Sequence, residues 1–382
     1  MSKVGILAAL LVASLALGAC ARAPQPVQFH AQGLPQKLSE WHVVERDGHR
    51  LALNQNVVPY DLNTPLFTDY AHKLRTVWMP PGTPAQYDPQ RAFDFPVGTI
   101  LSKTFFYPLP KGETARSKGV ARTYDTTRDF SGEGLDLDNV RLIETRLLVR
   151  RESGWVAIPY VWNAAQDEAE LARTGDAVAM ELVADDGNRE AFTYVVPNEN
   201  QCAGCHVTNV KSREISPLGA KARHLNRDYA YAAGKQNQLA HWAQAGYLTG
   251  TPSAEAVPRN ADWHDATQPL DARARAYLDI NCSHCHSATG PANTTALHFN
   301  IDAPVDVHLG LCKPPVAAGS GTGDHQFDIV PGKPNDSILP FRLASTEPGI
   351  MMPEQGRSTV HKEGLALIRD WIAVWPGDCG NG

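Results

Sequence analysis

Two short stretches of this chain carry side chains able to do chemistry. Asn200-Gln201-Cys202-Ala203-Gly204-Cys205-His206 and Ile280-Asn281-Cys282-Ser283-His284-Cys285-His286 each hold two cysteines three positions apart, with a histidine directly after the second. Cysteines at that spacing in a helical turn point the same way. Their sulfurs can then form thioethers with the two vinyl groups of one porphyrin, and the next residue falls beneath the metal. Cys-x-x-Cys-His reads as the attachment site of c-type haem. Two copies predict two covalently bound haem c groups, one on Cys202, Cys205 and His206, the other on Cys282, Cys285 and His286. His206 and His286 are the expected axial ligands to iron.

Other chemistries use the same cysteines. Four of them could pool into one zinc site, or one pair could act as a thioredoxin-like dithiol. Neither needs a histidine after each pair, and neither copy sits in a βαβ pattern. The chain has no glycine-rich phosphate loop, no Gly-x-Ser-x-Gly elbow and no His-Glu-x-x-His metalloprotease motif.

The elements that must position these motifs belong to an ordinary globular composition. The chain has 382 residues, 43% hydrophobic and 20% charged, which excludes wholesale disorder and suits two or three domains. Its net charge of -6 offers no basic surplus for a phosphate backbone, so nucleic acid is not an expected partner.

The first residues read as an address. Lys3 supplies a positive start and Val4 to Leu17 an apolar stretch too short to span a bilayer. Leu17-Gly18-Ala19-Cys20 resembles a bacterial lipobox, which implies a signal peptide over 1–19 and acylation of Cys20. Residues 20–37, with Pro24, Pro26 and Pro35, read as a tether. The absence of Asp after Cys20 favours the outer membrane by analogy with other lipoproteins. The expected product is lipid-anchored, periplasm-facing and in an oxidising compartment.

Residues 38–196 read as β-rich. Arg141–Val149 and Trp155–Trp162 are dense in branched and aromatic residues, with a loop at Arg151-Glu152-Ser153-Gly154, and Ile100–Phe106 reads as another strand. Composition over 218–247 suits helices. Helices are also expected from Leu270, with Asp271 as N-cap, and around Leu365, Ile368, Trp371 and Ile372, stopping before Pro376.

Residues 261–382 resemble a class I cytochrome c domain. The resemblance rests on the helix entering Cys282-Ser283-His284-Cys285-His286, the segment Pro331-Gly332-Lys333-Pro334-Asn335-Asp336-Ser337-Ile338-Leu339, the Met352-Pro353 loop and the closing helix ending in Asp370-Trp371-Ile372. It implies Met352 as the second axial ligand, with Met351 as fallback. The chain as a whole resembles a bacterial dihaem c-type cytochrome family with an N-terminal β-rich domain, on Asn63–Lys73, Phe95–Phe106, Glu144–Leu148 and Val196–Cys202. The implied fold is multidomain α+β: a mainly-β domain over 38–196, a first haem-binding region over 197–260, and α-helical cytochrome c-like domains to the end.

The first motif has no methionine between it and the second. His224, His241, His264, Met180 and Met79 are candidates for its second axial place, and an open position is the alternative. Phe95-Pro96-Val97-Gly98-Thr99 ahead of Lys103 faintly resembles cytochromes with a lysine-crosslinked haem, but Lys103 reads as a solvent-facing strand residue. Cys312 and Cys379 are left over and are expected to pair as a disulfide. The leading expectation is a dihaem c-type lipoprotein relaying electrons to a periplasmic or membrane redox protein. The rival is a peroxidase-like dihaem oxidoreductase with one open-coordinate iron.

Overall fold

The computed structural model describes residues 25–316 and 319–380. The expected signal peptide, Cys20 and the start of the tether lie outside the described residues.

A six-stranded antiparallel sheet organises the N-terminal half. Its order is Ala169–Leu171, Gly154–Trp162, Val140–Arg151, Ile100–Pro108, His72–Trp78 and Val58–Tyr60. The Arg151–Gly154 pair closes a tight hairpin with Gly154 at φ 113°, a conformation that favours glycine. Alternation along Ile100–Pro108 sets two different faces. Ile100 and Phe106 join Leu74, Leu147, Ile158 and Tyr160 in one core. Leu101, Phe105 and Tyr107 point the other way, toward two further clusters. A bulge between Leu142 and Glu144 re-phases the neighbouring strand, so that Arg146 lies opposite Lys103.

A three-stranded sheet of Gly119–Ala121, Asp176–Val183 and Arg189–Val196 packs on Phe105 and Tyr107. The segment after it is tied to the first sheet. Leu225, Leu239, Trp242 and Ile280 share one core with Leu101 and Val77.

The six α-helices among the described residues are α1 (Glu199–His206), α2 (Ala222–Leu225), α3 (Gln238–Gln244), α4 (Leu270–Asn281), α5 (Ile338–Ala344) and α6 (Lys362–Ala373). Helix α4 packs on α6 through Tyr277, Leu278, Leu367, Ile368, Trp371 and Ile372. Asp271 does not cap α4: its carboxylate accepts from Trp371 Nε1 at 2.8 Å, and Pro269 occupies the cap position.

The expectation of α-helical cytochrome c-like domains after the β-rich part is overturned. Strand accounts for 27% of the chain and helix for 20%, so the molecule is mainly β. Two physical causes stand out. Between Cys285 and Ser337, Pro291, Pro304, Pro314, Pro315, Pro331 and Pro334 break the chain into loops and single 3-10 turns. In the stretch expected to be helical over 218–247, Asp228–Tyr231 and Gly234–Asn237 form a hairpin instead, with Gly234 at φ 119°. Leu248–Thr249 then pairs with Ala85–Gln86 of the N-terminal half.

Candidate functional site

Helix α1 carries the first motif. Asn198 caps it by accepting from Gln201 N at 2.9 Å, while Gln201 Oε1 accepts from Asn198 N at 3.0 Å. Pro197, which has no backbone N–H, disfavours a helix running further upstream. The cap therefore fixes the helical turn on which Cys202 and Cys205 sit. His206 closes the helix and donates from Nδ1 to Ser216 O at 2.8 Å. That bond fixes the tautomer and leaves Nε2 as the lone-pair nitrogen. Burial, with Lys103 nearby, pushes the imidazole down to about 3, so it is neutral at physiological pH.

The second motif begins where α4 ends. Cys282 is the cap residue, and His286 N and Cys285 N both bond back to Cys282 O, at 2.8 and 3.1 Å. His286 Nδ1 lies 3.3 Å from Thr295 Oγ1, whose own proton goes to Ala292 O at 2.7 Å. The hydroxyl thus accepts from Nδ1, again leaving Nε2 free. The two histidines have the same arrangement by different partners. All four motif cysteines are free thiols, and burial holds each above its usual range.

A cavity of about 330 Å³ opens between the sheet and the C-terminal segment. Cys202, Cys205 and His206 line one side, Met351, Met352, Leu343 and Leu365 another, and His284 reaches it from inside the second motif. The Met352 loop sits against α1: a Cβ added to Gly204 would lie 3.3 Å from Gln355 Oε1. Arg357 clamps this loop from below. Its Nη2 donates to Met352 O and Ser345 O, each at 2.8 Å, and its Nη1 to Thr359 O at 3.0 Å.

None of the five candidates for the first motif's second axial place lines this cavity. His224 is buried with its Nε2 3.4 Å from Asp279. His241 stacks on Tyr231, 3.6 Å between ring centres. His264 packs by Tyr124 and Trp263. Met79 and Met180 are core residues. His361 does line the cavity, but both its nitrogens are engaged, by Tyr124 at 2.7 Å and Tyr277 at 2.9 Å.

Two cavity residues escaped the sequence reading. His284 is half-buried, and its Nδ1 atom, shielded from solvent, has no hydrogen-bond partner among the described residues. Lys103 is not solvent-facing. It lines the cavity, and burial together with Arg146 and Arg75 pushes its amine down to about 7. The signal for Lys103 was present in Leu101, Phe105 and Tyr107, which share its strand face and mark that face as interior.

Cys312 and Cys379 are joined as a disulfide, with Cα atoms 5.1 Å apart. Among the described residues no group of three or more His, Cys, Asp or Glu side chains is placed to hold a metal ion, so the two cysteine pairs do not converge on a four-thiolate zinc site.

The first motif offers what a c-type porphyrin needs, paired free thiols on one turn, a histidine with a fixed tautomer and a mostly apolar cavity, whereas Cys282, Cys285 and His286 of the second motif do not line that cavity. Comparison with known proteins adds no relative. No family model, no curated protein and no solved structure matches the chain. The expected membership of a dihaem cytochrome family with a class I cytochrome c-like domain is therefore corrected, because the mainly β architecture differs and no family model supports it.

Proposed function

We propose that this protein binds two haem c groups covalently and relays electrons between redox partners on the periplasmic side of a membrane. The observation that carries the reading is the common chamber, on which the first motif, His284 of the second motif and Met352 all open. Cys202 and Cys205 would hold one group with His206 below it. Cys282, Cys285 and His286 would hold the other, and Met352, which lines the cavity of the first motif, is the methionine proposed to serve it. Such a group, when bound, supplies a reversible one-electron couple.

The chain's own residues do the rest. Ser216 and Thr295 orient the two histidines and keep Nε2 free. Arg357 holds Met352 at a fixed depth through backbone carbonyls. His284, half-buried with its Nδ1 unpartnered among the described residues, is the side chain of the second motif best placed to face the first group. Apolar residues such as Leu101, Leu148 and Leu343 exclude water, which lowers the dielectric and raises the weight of nearby charges.

Removal of residues 1–19 takes away Lys3 and leaves 34 basic against 41 acidic residues, a net charge of -7. That sign suits docking to a basic patch on a periplasmic or membrane partner. Acylation at Cys20 would keep the protein at the membrane, where the analogy with other lipoproteins favours the outer one. The test is the reduced absorption spectrum of exported protein with and without CO, together with haem per chain. Two groups with no CO response support a relay. CO binding at one iron moves the reading to a peroxidase-like oxidoreductase, and a colourless protein overturns both.

A further inference from the structure

The sheet face that floors the cavity is charged in an unusual way. Arg75, Lys103 and Arg146 are directly paired neighbours on three adjacent strands, Arg75 with Lys103 and Lys103 with Arg146. All three line the cavity, and Lys73 joins them one pleat along. Lys73, Lys103 and Arg146 converge on the ring of Phe105, at 5.6, 5.0 and 4.3 Å from its centre. Like charges directly opposite one another in a sheet repel.

The carboxylates present do not balance this row. Asp61 takes Arg75 at 2.6 Å but also Arg227 at 3.2 Å. Glu144, fully buried, takes Arg146 and a hydrogen bond from Tyr194 at 2.6 Å. Lys73 gives its proton to Ala71 O at 2.9 Å. Among the described residues neither Lys73 nor Lys103 has a carboxylate within 4 Å, and the Lys103 ammonium makes no hydrogen bond. Both lysines are partly buried at the cavity wall, and drawing an unpaired ammonium out of water costs free energy unless an anion meets it. Lys73 and Arg75 also line an adjoining cavity of about 630 Å³.

We propose that the Arg75–Lys103–Arg146 row, with Lys73, is a binding site for a carboxylate or inorganic oxyanion inside the motif-lined cavity. Lys103 presents an ammonium with no acceptor of its own, beside Arg146, whose two-pronged pair with Glu144 leaves Nη1 uncommitted, and beside Lys73, whose one bond goes to a backbone carbonyl; such donors recognise a planar or tetrahedral oxyanion. Two sources share this chemistry: the carboxylates of the porphyrin on the first motif, and a free oxyanion. Only the first source rests on the haem reading.

The test uses full-length exported protein, wild type, Lys103→Met and Lys103→Arg. Haem per chain is measured first and judges the haem reading alone. Sulfate is then titrated calorimetrically, and redox-difference infrared spectra are recorded on haem-loaded protein. Stoichiometric sulfate binding that weakens about tenfold or more in Lys103→Met and is retained in Lys103→Arg supports the site with a free oxyanion. No sulfate binding, but carboxylate bands displaced in Lys103→Met and restored in Lys103→Arg, supports it with the porphyrin's carboxylates. Absence of both effects overturns the proposal, and so does sulfate binding unaltered in Lys103→Met. Should Lys103→Met fail to fold, Lys73→Gln replaces it with the same readings expected. Colourless protein that still binds sulfate through Lys103 would sink the haem reading and leave this site standing.

Discussion

Arg223 and Asp279 form a two-pronged ion pair inside the protein, Nε to Oδ2 at 2.9 Å and Nη2 to Oδ1 at 3.0 Å. Both side chains are buried. The pair ties α2, which follows the first motif, to α4, which leads into the second. Asn260 Nδ2 at 3.1 Å and Ile301 N at 3.2 Å satisfy the remaining carboxylate positions. With Val210 N donating to Thr289 O at 2.9 Å and Thr289 Oγ1 to Thr208 O at 3.2 Å, this carboxylate helps fix the spacing between the two motifs.

Asp279→Asn should cost about 3–5 kcal/mol, because it strands a buried guanidinium. Burial alone would raise the Asp279 pKa, but the hydrogen bonds and charge of Arg223 outweigh it and hold the group at about 2. A folded value below the ordinary carboxylate value stabilises the protein above about pH 4, and that contribution is lost as pH falls through 2. Urea unfolding across this window should show the wild type losing stability as it acidifies. The variant should lack this component of the slope.

His284→Ala should make the first group more accessible to added ligands, since His284 lines the cavity of the first motif. The expected result is CO binding gained at one haem per chain, with the second unchanged, read from reduced absorption spectra. An identical CO response in variant and wild type would remove His284 from the first group's surroundings.

Arg357→Met should release the Met352 loop. It removes donors to the carbonyls of Met352, Ser345 and Thr359. Each such charged hydrogen bond is worth roughly 1.5–3 kcal/mol. The expected outcome is displacement of the methionine by added imidazole at lower concentration, while covalent haem content stays constant. Unchanged imidazole affinity would mean that the clamp does not set this ligand.

The Cys312–Cys379 bond closes a sequence separation of 67 residues around the Met352 loop. Replacing both cysteines by serine should cost about 4 kcal/mol by loop-closure entropy. Thermal melts of oxidised wild type against the double variant measure it. The loss should be matched by reducing the wild type.

Part of the candidate site was legible in residue types and spacing: Cys202, Cys205 and His206 line the cavity, whereas Cys282, Cys285 and His286 do not. The motif itself named Cys202, Cys205, His206, Cys282, Cys285 and His286. His284 was hidden by the same logic, since the positions between the cysteines are treated as filler. Lys103 was misread because one lysine in a strand usually faces water; here the aromatic residues on both faces of Ile100–Pro108 place the strand inside. The β-rich half followed from alternation and hairpin chemistry. The C-terminal part did not, because two recognisable helices suggested a helical domain, whereas the proline-rich stretch between them forms loops. The hairpin at Asp228–Asn237 likewise shows packing of Tyr229 and Tyr231 overriding a helix-favouring composition.

The most direct measurement is covalent haem per chain, by pyridine haemochrome after acid-acetone extraction of exported protein. The expected result is two groups retained in the wild type and one in the Cys202→Ser/Cys205→Ser double variant. A colourless protein, or haem that washes out in the extraction, would contradict the reading of both motifs.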